Sequence, residues 1–270
     1  MLRYWRDRSQ LFGGFSRTVL WLIILGFGLG AALRQIEGYS YAQYILPGVV
    51  TLNVLFASLQ SAIAIVWDRE VGLLREVLVS PAPMFSVALG KVLGGATVAV
   101  VQGSIPLIFA PIIGVRLTVP NVLLAWCVML SMGVLLTSFG VVIAARMKTF
   151  EGFGSISNGI IQPLYFLSGA IFPIRGIIGG VGFLSIPDQL RQELQRYGVY
   201  SIGSGWLVQL PIWLRVLVYA NPVSYELDLL RTVLLGFRQL PGIADLGVAL
   251  VLPLLATGVA ARAMRRMYKH

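Results

Sequence analysis

Side chains able to do chemistry are sparse in this sequence. Gly90-Lys91 lacks both an earlier glycine at the required spacing and a following Ser or Thr, so it is no phosphate-binding loop. One cysteine, Cys127, and one histidine, His270, provide no ligand set for zinc or haem and no intrachain disulfide. Cys127 lies in an apolar run and reads as a small packing residue rather than a reactive thiol. Two other groups stand out. Neutral amides and hydroxyls interrupt long apolar runs: Asn53 and Gln60 lie seven apart on one helical face, Gln102 stands alone, and Ser155, Asn158 and Gln162 follow at helical spacing. Within a membrane such groups either bond helix to helix or line a path for substrate. The second group is charged: Asp68, Arg69, Glu70, Arg75 and Glu76 within nine residues.

The elements that must carry these residues follow from composition. Of 270 residues, 57% are hydrophobic and 12% charged, against about 45–50% and 25% in soluble domains. With a net charge of +10 on so few charges, and no clustered Lys/Arg on a solvated face, the chain suits a bilayer with anionic headgroups rather than nucleic acid. Stretches free of Asp, Glu, Lys and Arg and near the roughly 20 residues a bilayer core needs occur at Thr18 to Leu33, Ile45 to Val66, Val92 to Val115, Val119 to Ala145, Gly152 to Ile174 and Leu246 to Ala261. The reading is an all-α polytopic membrane protein of six transmembrane helices in one domain, 1–270.

Orientation follows from the basic residues in alternate connections. One side receives Arg3, Arg6, Arg8 and Arg17, then Arg69, Arg75 and Lys91, then Arg146 and Lys148, then Arg262, Arg265, Arg266 and Lys269; the short loops of the other hold only Arg34 and Arg116. Connections beyond about 60 residues count weakly, so the arginines of 175–242 do not alter the balance. Both termini are expected in the cytoplasm, the chain being multi-pass in the plasma (inner) membrane.

Residues 1–16 place Leu2, Trp5 and Phe12 on one face and read as an interfacial helix that turns into the first span at Gly13-Gly14. After the second span, Trp67, Val71, Leu74 and Leu78 recur on one helical face, with Asp68, Gly72, Arg75 and Glu76 on another. Ser80-Pro81-Ala82-Pro83 ends this helix, so the segment runs 67–83. Its charges have no opposite partner three or four residues away: they are free to meet another protein, or they solvate the helix at the headgroups. On the far side, 175–242 holds a helix ending at Gly198, an apolar piece from Trp206 to Ala220 that reads as re-entrant or interfacial, and a helix opened by Pro222. In the last, Glu226 and Asp228 lie toward the positive end and Arg231 follows Asp228 by three. Together they predict a small extracytoplasmic helical cap between spans five and six. The spans themselves contain no Asp, Glu, Lys, Arg or His, which argues against an ion-coupled carrier; energy for transport must come from elsewhere.

Four blocks together resemble the ABC-2 type transporter permease family, which includes drug-resistance and nodulation-factor exporter permeases: YILPGVV (Tyr44 to Val50), DREVGLLREVLVSPAP (Asp68 to Pro83) followed by LGK, FLSGAIFPI (Phe166 to Ile174) and NPVSYELDLLR (Asn221 to Arg231). The resemblance covers most of the chain. It implies a permease without a catalytic site of its own, paired with a second permease as a homodimer and driven by two copies of a cytosolic ABC ATPase that binds ATP and Mg. The segment from Trp67 would be the coupling helix, with Asp68, Arg69, Glu70, Arg75 and Glu76 as ATPase contacts. Asn53, Gln60, Asn158 and Gln162 would line the path at the dimer axis. The departure is Arg175 to Pro211, longer than the family usually carries there. Two functions follow: the membrane subunit of an ATP-driven exporter of an amphiphilic, lipid-like, glycan or drug-like molecule, or a non-transporting scaffold that docks a cytosolic partner.

Overall fold

Four of the helices begin where a side chain takes over amide hydrogens that the first turn leaves unused. In the computed structural model, which describes residues 8–30, 35–36, 38–70, 83–147, 149–174, 178–179 and 211–267, helix α1 (Arg8–Ile23) passes into a π-helical stretch, Ile24–Leu29. Strands β1 (Gln35–Ile36) and β2 (Tyr39–Ser40) pair antiparallel, and the turn between them uses Gly38 at φ 83°, a conformation that costs glycine little. The Ser40 hydroxyl then accepts from the Gln43 amide at 3.3 Å while the Gln43 side chain accepts from the Ser40 amide at 3.0 Å. This reciprocal cap starts α2 (Tyr41–Glu70).

Helix α3 (Met84–Ser104) continues into a 3-10 turn, Pro106–Phe109. Helix α4 (Val119–Ala144) is capped by Thr118, and α5 (Phe150–Leu167) by Thr149. Strand β3 (Ile178–Gly179) pairs with the free side of β1. Helix α6 (Ile212–Ala220) is followed by α7 (Pro222–Leu235), whose Asn221 cap, Pro222 and left-handed Gly236 mark its two ends, and by α8 (Gly242–Met267).

Helix α2 is the axis of the bundle, packed on α3, α4, α7, α5 and α1, while α8 closes against α4, α3 and α7. Among the described residues four helical stretches are long and apolar enough to cross a membrane: Tyr41–Asp68, Phe85–Phe109, Val119–Ala144 and Gly242–Arg266. Helix α1 contributes a shorter apolar stretch, Phe12–Gly26. The six expected spans are thus met by four that satisfy length and hydropathy.

Three expectations change. Helix α1 runs unbroken through Gly13-Gly14, so no turn separates an interfacial piece from a span beginning at Thr18. Helix α2 continues past Val66 to Glu70, making Trp67 and Asp68 part of the same rod as Tyr44. Helix α7 does not sit above the bundle as a cap but packs among α4, α8 and α2. Of the rest of that expected cap, residues 180–210 lie outside the described residues, and α6 exposes Ile212, Trp213, Val216 and Leu217.

Close approach between helices is set by glycine at particular positions. A Cβ on Gly90 or Gly94 would meet nothing, whereas one on Gly140 would lie 2.5 Å from Ala62 Cβ and one on Gly103 would lie 2.6 Å from Met129 Sδ. Cys127 is exposed on α4 rather than packed.

Candidate functional site

Three polar clusters are strung along α2. At one end Arg231, only 1% exposed, ties α7 to α2 and to the segment after α5. Its Nη2 donates to Tyr44 Oη at 3.1 Å and to the carbonyl of Gly169 at 3.0 Å. Its Nη1 donates to Gln239 Oε1 at 2.9 Å and lies 3.5 Å from Asp228 Oδ1. Asp228 in turn accepts from the backbone amides of Gln239 and Leu240. A buried ion pair is tolerable when most of its remaining donors and acceptors are met, as here, where of the pair's atoms only Arg231 Nε is buried without a partner. Gly48 permits the approach: a Cβ there would fall 2.7 Å from the carbonyl oxygen of Ala170. The Asn221 side chain donates to the carbonyl of Leu164 at 2.6 Å, fastening α7 to α5.

Midway along the bundle, Asn53 is fully buried and donates to Thr18 Oγ1 on α1 at 2.9 Å and to the carbonyl of Val49. It is a bond between helices in this chain. Arg17, next to Thr18, lays its guanidinium over the ring of Phe56, one turn along α2 from Asn53, at 4.0 Å. Glu226 of α7 accepts from Ser131 at the middle of α4, and Ser131 is also 2.6 Å from the carbonyl of Ala249. Arg17 and Glu226 therefore pack against α2 and α4, two of the candidate spans, although the sequence assigns one to a flank and the other to a cap.

The expected path residues divide. Gln60 is exposed on α2, one turn from the half-buried Phe56. Asn158 and Gln162 are exposed on α5, whose Phe153, Ile161 and Tyr165 are buried in the bundle. Asn53 is not among the exposed ones. At the other end of α2, Asp68 is paired with Lys91 of α3, although no partner was visible for it within its own helix. The side chains of Arg69 and Glu70, and all of Arg75 and Glu76, lie outside the described residues. Among the described residues no group of His, Cys, Asp or Glu is arranged to hold a metal ion.

The sequence from 1 to 185 matches the family model of the ABC-2 type transporter membrane region. The chain belongs to the ABC-2 type transporter family. Its relatives include nodulation protein J of Rhizobium leguminosarum bv. trifolii, 24% identical over 230 residues that make up 84% of this chain and 75% of that protein. The inner membrane transport permease YadH of Escherichia coli K12 is 23% identical over 240 residues, 86% of this chain and 78% of that protein. A putative transport permease, ycf38 of Cyanophora paradoxa, is 22% identical over 206 residues, 75% of this chain and 71% of that protein. This ABC-2 chain is therefore a membrane transport permease subunit, and membership of the family implies association with an ABC ATPase subunit.

Proposed function

We propose that the chain is the permease subunit of an ATP-driven exporter that moves an amphiphilic, lipid-like, glycan or drug-like molecule out of the cytoplasm or inner leaflet. Two copies pair, and each engages one cytosolic ATPase, which binds the ATP and Mg. In this reading α1 and α5 complete six spans, both termini are cytoplasmic, and the chain resides in the inner membrane, as the inner membrane transport permease YadH does by its name.

The observation that carries the reading is the continuity of α2. A single helix, Tyr41–Glu70, leads from the Arg231 cluster past Gln60 to the charged segment that starts at Asp68. A rigid helix transmits displacement along its length, so force applied at residues 69–76 reaches the exposed Gln60 and, through α2's packing on α5, the exposed Asn158 and Gln162. The Asp68–Lys91 pair makes α3 move with that end. Arg69, Glu70, Arg75 and Glu76 then face the ATPase, with Asp68 as brace.

The test is to change Glu70 or Arg75 and measure nucleotide hydrolysis by the assembled complex. Loss of substrate-stimulated turnover with normal membrane insertion is expected; an unchanged rate counts against the assignment.

A further inference from the structure

Arg17 occupies a position that its own protein does not explain. Its guanidinium carbon lies 4.0 Å from the centre of the Phe56 ring. Phe56 is about 22 Å along the helix from Tyr41 and about 18 Å from Asp68 at 1.5 Å per residue, and these two residues bound the span of α2. The neighbouring turn fixes the same depth, because Thr18 receives the Asn53 amide and Gly14 abuts Gln102 of α3. Arg17 thus sits near the middle of the hydrocarbon layer. An arginine side chain extends roughly 6–7 Å, too little to carry its charge to either surface by snorkelling, and the group does not deprotonate.

A charge at that depth costs at least about 2.5–3.5 kcal/mol to insert and marks a functional site with a partner. Among the described residues its guanidinium meets the Phe56 ring and no anionic partner. Arg17 Nη1 is buried without a hydrogen-bond acceptor. Of the carboxylates whose side chains the structure describes, Asp68 pairs with Lys91 and Asp228 with Arg231, Glu226 accepts from Ser131 through one oxygen, Asp245 lies 3.8 Å from Arg238, and Glu151 is in the first turn of α5; none is paired with Arg17. Beside Arg17's helix, Gln102 is 1% exposed, yet both atoms of its amide are without partners, and Asn53 Oδ1 is likewise unmet. Buried amides of this kind are almost always satisfied. Arg17 on α1 and Gln102 on the adjacent α3, which Gly14 approaches, thus both carry buried polar atoms without a hydrogen-bond partner among the described residues.

The geometry points to Arg17, supported by Gln102, as the site that recognises the acidic head of an anionic amphiphile inside the membrane: a phosphate, sulfate or carboxylate carried on an apolar tail. Phe56 and Trp21 flank it; Trp21 lies one turn beyond Arg17 and meets Tyr165 of α5 edge-on at 6.1 Å. That this ligand is the exported cargo rests on the exporter reading above; the site itself does not.

The test uses the full chain, assembled with its ATPase, in nanodiscs of zwitterionic phosphatidylcholine. Binding of 1-oleoyl lysophosphatidate is compared with that of neutral 1-oleoylglycerol and with competition by inorganic phosphate. The wild type should prefer the lysophosphatidate by about tenfold or more, the worth of a charged hydrogen bond. Arg17→Met, which relieves the insertion cost and so should not impair folding, abolishes the preference; Arg17→Lys retains it. Gln102→Leu weakens it while raising thermal stability, because an unpartnered amide is replaced by an apolar isostere. Equal binding of the two lipids by the wild type, or a preference that survives Arg17→Met, overturns the site. Displacement by inorganic phosphate at lysophosphatidate's own concentrations overturns the amphiphile and leaves a free-anion site. If the preference depends on Arg17 but ATP hydrolysis responds to neither lipid, the exporter reading fails and the site stands.

Discussion

The Arg231 guanidinium donates to the Tyr44 hydroxyl at 3.1 Å, across 187 residues of sequence, and its carbon lies 4.6 Å from the centre of the Tyr44 ring. Through this contact α7 and the start of α2 behave as one body. Truncating one partner of a buried ion pair leaves the other uncompensated, at about 3–5 kcal/mol. Arg231→Met should lower the thermal unfolding midpoint of the protein in nanodiscs accordingly. Adding Asp228→Asn to it should cost much less than the sum of the two single changes. Additive losses would show that the two side chains act independently.

Gly140 should resist any side chain. A Cβ there would fall 2.5 Å from that of Ala62, between α4 and α2, with no flexible side chain to yield. Gly140→Ala is expected to destabilise by about 1–3 kcal/mol through overpacking. Gly94→Ala, with open space around it, should be neutral or stabilising by up to about 1 kcal/mol because alanine favours helix. Thermal unfolding of the two variants side by side checks this.

Ser131 has a single hydroxyl hydrogen but two acceptors in range, Glu226 Oε1 at 2.8 Å and the carbonyl of Ala249 at 2.6 Å. An amide at 226 could donate to the Ser131 oxygen and leave its hydrogen for Ala249. Glu226→Gln should therefore change stability by less than about 1 kcal/mol, whereas Glu226→Ala, which strips the pocket of its polar group, should cost about 1–3 kcal/mol. A severe loss with Gln would mean that the negative charge itself is required there.

The Asp68–Lys91 pair is about a quarter exposed on each side, so its contribution to stability should stay within about 1 kcal/mol. Its effect should appear instead in coupling. Lys91→Glu should reduce substrate-stimulated ATP hydrolysis by the complex, and the exchange Asp68→Lys with Lys91→Glu should recover most of it. Failure of the exchange to recover activity would deny the pair a role as brace.

Apolar run length located the long helices, because α2, α3, α4 and α8 each fill a membrane-length stretch uninterrupted by charge until near its ends. The start of α1 was not legible for a related reason. Charge-free length places Arg17 at a boundary, and only its neighbours Asn53 and Phe56, 35 and more residues away, fix its depth. The same holds for α7. Its cap residues and its end at Gly236 are local signals, but that Glu226, Asp228 and Arg231 are buried among spans depends on Ser131, Gln239 and Tyr44. Asn53 and Gln60 share a spacing that fits one helical face, yet the first is covered by α1 and the second is not. Spacing gives the face; only the neighbouring helix decides what that face meets.

The Arg231 cluster also sets an order of events during synthesis. Tyr44 and Gly169 emerge from the ribosome long before residues 228–240, which complete their bonds. Until then α7, with its two carboxylates and its arginine, cannot be released into lipid alone, since each bare charge there is costly. The early helices must wait in the insertion machinery, or beside it, with a vacancy held open for a late arrival. A nascent chain arrested before Asn221 should remain cross-linkable to the translocon, and one extended past Leu240 should leave it.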